Sequence, residues 1–263
     1  MKKQTGMQVV GAVFVAALSP LSLLAVEPGE LITDRPDATE SSSTVAPGYV
    51  QYEIGWTHFE DEDKDGLGAR GDSFPETLLR IGLVEDLELR LGYTGYNWVH
   101  QEQAVGGSKS RDFSGEPEIG FKVRLAEEEG AMPEIALMSH LEVPAFSSKS
   151  AEPSYRFAFS HTLSEDLSLV YNLGQAFDTD GGDLFQYTAA LGLGLSEKWG
   201  VFAEFFGDIP TGNDSADPAN TFGGGLTYLW RENVQLDVLA GVGLSESADD
   251  WFIGTGISFR LPN

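Results

Sequence analysis

From about residue 49 onward, apolar and polar side chains alternate with a period of two, and the alternation is broken at intervals by short acidic turns and longer polar stretches. Leu87, Leu89, Leu91 and Tyr93 share one face of an extended segment, while Glu88, Arg90, Gly92 and Thr94 share the other. The same split separates Ile119, Phe121, Val123 and Leu125 from Glu118, Gly120, Lys122 and Arg124. It recurs with Phe185, Tyr187, Ala189, Leu191 and Leu193 set against Gln186, Thr188, Ala190, Gly192 and Gly194. This period predicts strands with one apolar face.

A phrase repeats along the chain: an alternating strand, a short turn containing Glu, and a second alternating strand. Residues 79–93, 159–171, 191–204 and 226–238 carry it, each reading as a β-hairpin closed by about three residues. A fifth short acidic turn lies at 126–131. Longer polar stretches separate the hairpins at 61–72, 99–111, 145–152, 178–182, 209–218 and 245–249. Short turns alternating with long loops are the outer-membrane barrel arrangement, the turns periplasmic and the loops extracellular. The breaks delimit about twelve strands of roughly ten residues, an even count of the length that a tilted strand needs to cross the hydrocarbon layer. The predicted fold is an all-β, antiparallel transmembrane β-barrel of about twelve strands with both termini on the periplasmic side.

The apolar faces decide between this and a secreted soluble β-sandwich. In a soluble protein they would form a core; in a barrel they face lipid and the charged faces line the lumen. No helical segment is available to cover them. Tyr49, Trp56, Tyr96, Trp98, Tyr155, Tyr171, Trp199, Tyr228, Trp230 and Trp251 fall towards strand ends, where aromatic girdles sit.

The beginning of the chain has a different character. Lys2 and Lys3 precede an apolar run at 9–24 interrupted by Gly11, Ser19 and Pro20, which reads as a secretory signal peptide. Residues 1–25 are assigned to it, with cleavage near Ala25. Residues 26–48 form an N-terminal periplasmic or barrel-mouth segment without strand pattern, and 49–263 the outer-membrane barrel. No other stretch approaches the length of a spanning helix.

The net charge of −25, from 41 Asp and Glu against 16 Lys and Arg, argues against nucleic acid, whose phosphates would be repelled. Glycine at 31 positions and an aromatic content of 11% suit a sheet protein with many turns. Cysteine is absent, so no disulfide framework enters the reading.

Residues 32–55, opening on Thr33-Asp34-Arg35-Pro36-Asp37, resemble the start of a family of outer-membrane proteins labelled "putative MetA-pathway of phenol degradation", or simply transporters. The resemblance continues through 76–90, 225–229 and 250–260 and so covers essentially the whole mature chain. It implies an outer-membrane barrel and passage of small molecules, and supplies no catalytic residues. The end of the chain departs from the usual barrel pattern, because Leu261-Pro262-Asn263 follows Phe259-Arg260 in place of a terminal aromatic.

Facing inward, the alternation places Glu53, Glu76, Arg80, Glu88, Arg90, Glu118, Lys122, Arg124, Glu134, His140, Glu142, Arg156, Glu204, Asp237 and Arg260. Enclosed charges of both signs must be paired or hydrated, so these residues form either a salt-bridge network or the wall of a water-filled channel. Arg35 of the family motif is expected to pair with one of the lumen carboxylates. Asp61, Asp63 and Asp65 have the alternate spacing of a calcium loop, with Asp72 at the twelfth position, although the flanking helices of such loops are absent and a solvated acidic loop has the same composition. Ser139 and Ser160, with His161 and His58, are the residues a lipid-hydrolysing barrel would use, but no nucleophile motif surrounds them. The function expected is therefore a non-enzymatic channel or facilitator for small, hydrophobic or aromatic molecules, without cofactor. A structural or adhesive barrel is the alternative, and a lipid-modifying enzyme comes third. The expected partners are outer-membrane lipid, a small-molecule solute and, during biogenesis, the barrel-assembly machinery.

Overall fold

A computed structural model describes residues 28–62, 68–103, 107–147, 150–178, 182–212 and 217–262. Strands account for nearly all of it: β1 (Val50–Glu62), β2 (Gly68–Val84), β3 (Leu87–Tyr93), β4 (Tyr96–Gln103), β5 (Gly107–Ser114), β6 (Pro117–Ala126) and β7 (Glu134–Glu142) in the first half, then β8 (Glu152–Thr162), β9 (Leu167–Ala176), β10 (Leu184–Gly194), β11 (Trp199–Pro210), β12 (Ala219–Arg231), β13 (Val234–Gly243) and β14 (Trp251–Leu261). All pair antiparallel in one sheet, and β1 pairs with both β2 and β14, which closes it.

The fourteen strands make a wall of twelve staves, because two staves are interrupted. The β3 segment pairs with β6 while β4 pairs with β5, and β2 accompanies both β3 and β4. The pair β3/β4 is thus one stave broken at Thr94-Gly95, and β5/β6 is another broken at Gly115-Glu116. Closure leaves no exposed sheet edge, which the hydrocarbon layer requires.

Two stretches expected to be long loops are instead largely strand. Residues 99–111 belong mostly to the β4–β5 hairpin, and the 61–72 stretch is reduced to a short connection because β1 runs to Glu62 and β2 starts at Gly68. Both hairpins carry polar side chains beyond the apolar belt, where alternation no longer reports a buried face, so the sequence pattern stops before the hydrogen-bonded ladder does.

The distribution of burial is inverted relative to a soluble protein. Leu125, Phe121 and Ile119 are 54, 41 and 46% exposed, and Leu191, Phe222, Val238 and Ile253 are exposed in the same way. The fully buried side chains are led instead by Arg80, Arg90, Lys122, Gln51, Glu53 and Glu88, and among the described residues the buried apolar cluster is Ala136, Met138 and Ala158. An apolar outside and a charged inside is the division that lipid imposes on a barrel.

Candidate functional site: a lumen filled by the N-terminal segment

Residues 28–48 lie inside the barrel, entering at the end where the short turns sit. Arg260, near the end of β14, donates from Nη1 to the carbonyls of Pro28 and Glu30 and from Nη2 to that of Gly29, each at 2.9 Å. At the other end of the segment, the Gly82 amide donates to the Tyr49 carbonyl at 3.0 Å as the chain joins the wall. A segment without secondary structure needs partners for its own amides and carbonyls. Inward side chains of the wall supply many of them.

Glu53 accepts the amides of Asp34 and Arg35, the latter at 2.8 Å. Glu204 accepts the Ala38 amide at 3.0 Å and the Thr39 hydroxyl at 3.3 Å. Asn172 grips the backbone of Glu40 on both sides, its Oδ1 accepting the amide and its Nδ2 donating to the carbonyl, each at 2.8 Å. Ser42 donates to Glu134 at 2.6 Å, and Glu88 accepts the Val45 amide at 2.8 Å.

At the centre Asp34 gathers three cations. Lys122 Nζ lies 2.8 Å from Asp34 Oδ2, Arg90 Nη1 2.6 Å from it and Arg80 Nη1 3.2 Å from it. Glu88 accepts Arg80 Nε and Arg90 Nη1, both at 2.9 Å, and Glu40 accepts Arg90 Nη2 at 2.6 Å. Arg90 Nε donates to His140 Nε2 at 2.9 Å. Four carboxylates, Asp34, Glu40, Glu53 and Glu88, therefore surround three cations. Such an assembly tolerates burial because each charge has opposite charge and directed hydrogen bonds.

The remaining inward residues sit around this centre. Arg124 pairs with Asp86 and, at 3.2 Å, with Glu134 near the short-turn rim. Arg156 Nε donates to Gln186 at 3.2 Å, and Arg156 Nη1 stands 3.7 Å from Glu40. Glu118 and Glu142 are opposite each other on β6 and β7. Glu76 and Asp237 hold Arg35, at 3.3 and 3.5 Å.

The segment divides the enclosed space. A cavity of about 360 Å³ lies towards the long loops and is lined by Leu78, Phe206, Arg156, Gln186 and Asp208 together with Asp34, Arg35, Asp37 and Glu40. One of about 1150 Å³ opens at the short-turn end beside Ser164, Glu165, Glu197 and Lys198. Arg35 and Asp37 line both, so they stand at the divide.

Of the acidic stretch, two of the four carboxylates fall within the described residues. Asp61 lies on β1 opposite Ala69 and Asp72 on β2 opposite His58, while Asp63 and Asp65 lie outside the described residues. Asp72 Oδ1 accepts Trp56 Nε1 at 3.0 Å and lies 3.2 Å from His58 Nδ1. Ser139 donates to the Ser154 carbonyl at 3.0 Å and Ser160 bonds Ser42 at 2.7 Å.

Glu40, Ser42, Gln51 and Asn172 are central here although alternation alone did not mark them. Gln51 and Asn172 are uncharged, and Glu40 and Ser42 belong to a segment with no period from which a direction could be read.

Residues 33–261 match the family model described as "Putative MetA-pathway of phenol degradation". No curated protein matches the chain. Among solved structures, an outer membrane channel from Pseudomonas putida F1 is similar with a TM-score of 0.60 at 13% identity, covering 90% of this chain and 100% of that one. The KdgM porin in complex with disordered oligogalacturonate is similar with a TM-score of 0.52 at 14% identity, over 79% of this chain and 98% of that one. The translocator domain of the autotransporter NalP from Neisseria meningitidis reaches 0.51 at 11% identity, over 81 and 88%. These likenesses show the outer-membrane barrel fold. The family match takes in both the barrel and the Thr33-Asp34-Arg35-Pro36-Asp37 segment that fills it, and the chain belongs to the family described as "Putative MetA-pathway of phenol degradation".

Proposed function

We propose that this protein is an outer-membrane channel for small molecules, with the N-terminal segment as the element a solute must pass. The observation that carries this reading is the pair of cavities meeting at Arg35 and Asp37. A barrel serving only as a scaffold has no use for open space that reaches the same two residues from either side. The cavity towards the long loops joins apolar surface, from Leu78 and Phe206, with polar groups from Arg156, Gln186 and Asp208, which suits a small solute carrying an apolar or aromatic part and a polar one. Phe252 extends that apolar surface, with its ring centroid 6.2 Å from that of Phe206.

The density of ion pairs around Asp34 favours a second reading, a structural barrel that does not conduct. Conductance of the purified protein in planar bilayers separates the two. Discrete current steps that grow when residues 28–45 are deleted support the channel. A silent wild type, together with a silent deletion variant that still shows the heat-dependent gel mobility of a folded barrel, supports the structural barrel.

A further inference from the structure

Glu76, Gly55, Gly256 and Asp237 form one continuous row across four neighbouring strands. Gly55 is opposite Glu76 on one side and Gly256 on the other, and Gly256 is opposite Asp237. The row spans three strand spacings, about 14 Å, with a carboxylate at each end and bare backbone between. The guanidinium of Arg35 occupies that bare stretch. A Cβ at position 55 would overlap Arg35 Nη1 and Cζ, and one at position 256 would stand 2.5 Å from Arg35 Nε and 2.9 Å from Nη2. Only glycine at both positions lets a planar cation approach the wall this closely.

The cation is held at its edges. Nη1 donates to Glu76 Oε2 at 3.3 Å; Nη2 donates to Asp237 Oδ1 at 3.5 Å and to the Thr255 carbonyl at 3.4 Å. Thr57 Oγ1 donates to the same Glu76 oxygen at 3.0 Å and so orients that carboxylate. Yet Arg35 Nε and Asp237 Oδ2 are both buried without a hydrogen-bond partner among the described residues. A side chain tethered at its Cα does not use all that the slot offers.

We propose that the Glu76–Gly55–Gly256–Asp237 row is a binding slot for a planar cation of the guanidinium class, occupied at rest by Arg35 of the chain itself, and that Arg35 is thereby the specificity-determining residue at the divide between the two cavities. The second half of this proposal rests on the channel reading; the slot does not. Seated in the slot, Arg35 places one positive charge at a point otherwise flanked by the carboxylates of Glu76 and Asp237. Removing it leaves a site that selects for cations and that a free planar cation can refill.

The test compares wild type with Arg35→Ala, both first checked for the heat-dependent gel mobility of a folded barrel. Guanidinium chloride at a few millimolar, far below denaturing concentration, is set against sodium chloride of equal ionic strength. Guanidinium should raise the thermal midpoint of Arg35→Ala by a few degrees, should leave wild type unchanged, and should have no effect on Arg35→Ala combined with Glu76→Gln. In bilayers, Arg35→Ala should shift the reversal potential towards cation selectivity, and guanidinium should reduce its current. Should Arg35→Ala not fold, Arg35→Gln serves in its place, because it removes the charge while keeping more of the side chain's length and polarity. Equal effects of guanidinium and sodium on the variant's midpoint overturn the slot. A midpoint that responds in a barrel that never conducts preserves the slot and removes the channel reading. An unchanged reversal potential in a conducting Arg35→Ala barrel overturns the assignment of Arg35 as specificity determinant.

Discussion

Asp34 receives the ammonium of Lys122 on both carboxylate oxygens, at 2.9 and 2.8 Å, with each side chain almost wholly enclosed. One residue of the strandless segment thereby neutralises a lysine of the wall, and Arg80 and Arg90 share the same carboxylate. Asp34→Asn should leave three enclosed cations short of one counter-charge. Removing one partner of a buried pair costs about 3–5 kcal/mol. The midpoint of the heat-dependent gel shift should fall accordingly, and Asp34→Asn combined with Lys122→Met should recover much of the loss. A double variant no more stable than the single one would mean that the pair is not the unit that matters.

Asn172 offers a gentler way to loosen the segment. Its two bonds to Glu40 imitate those of a neighbouring strand. Asn172→Ala should leave both backbone groups of Glu40 without these partners, at about 1–3 kcal/mol for each one left dry. Limited proteolysis from the short-turn side should then cut within residues 28–48 faster than in wild type, while the barrel strands stay resistant.

Charge reversal at two inward glutamates should have opposite outcomes. Glu88 is clamped by Arg80, Arg90 and the Val45 amide, so Glu88→Lys should fail to give a heat-modifiable barrel. Glu118 faces Glu142 instead, so Glu118→Lys exchanges a like-charged neighbour on the ladder for an opposite one and should fold. In a conducting barrel, Glu118→Lys should move the reversal potential towards anions across a salt gradient.

At the short-turn end, Glu128 accepts the Thr162 amide at 2.8 Å, and its hydrogen bonds to Thr162 hold its carboxyl below the usual glutamate range. A lowered folded-state value contributes stability above the unfolded-chain pKa of about 4.3 that is lost as pH falls through the folded value. Protection of the Thr162 amide from hydrogen exchange should therefore fall on acidification below pH 4 in wild type. In Glu128→Gln it should be weaker at neutral pH and flat with acidification.

The wall was legible in the sequence, whereas its filling was foreshadowed only as a periplasmic or barrel-mouth segment with Arg35 paired to a lumen carboxylate. Lipid outside and charge inside leave period two as the dominant constraint on every strand, so Leu87, Leu89 and Leu91 part from Glu88 and Arg90 without any knowledge of the fold. The inward parity of Gly55 and Gly256 could be read in the same way. Their adjacency could not, because it follows from the pairing of the first strand with the last, and no local pattern reports which strands close a barrel. The segment around Asp34 and Glu40 has no period at all. Its conformation is dictated by the wall that surrounds it, so it becomes readable only once that wall is in place.

Arg260 reaches from the last strand to three successive carbonyls at the beginning of the described chain. The last strand and the start of the lumen segment are consequently tied to each other. The strand that seals the seam with β1 therefore also anchors the segment that fills the lumen. A barrel sealed around nothing would have to enclose Arg80, Arg90 and Lys122 without Asp34.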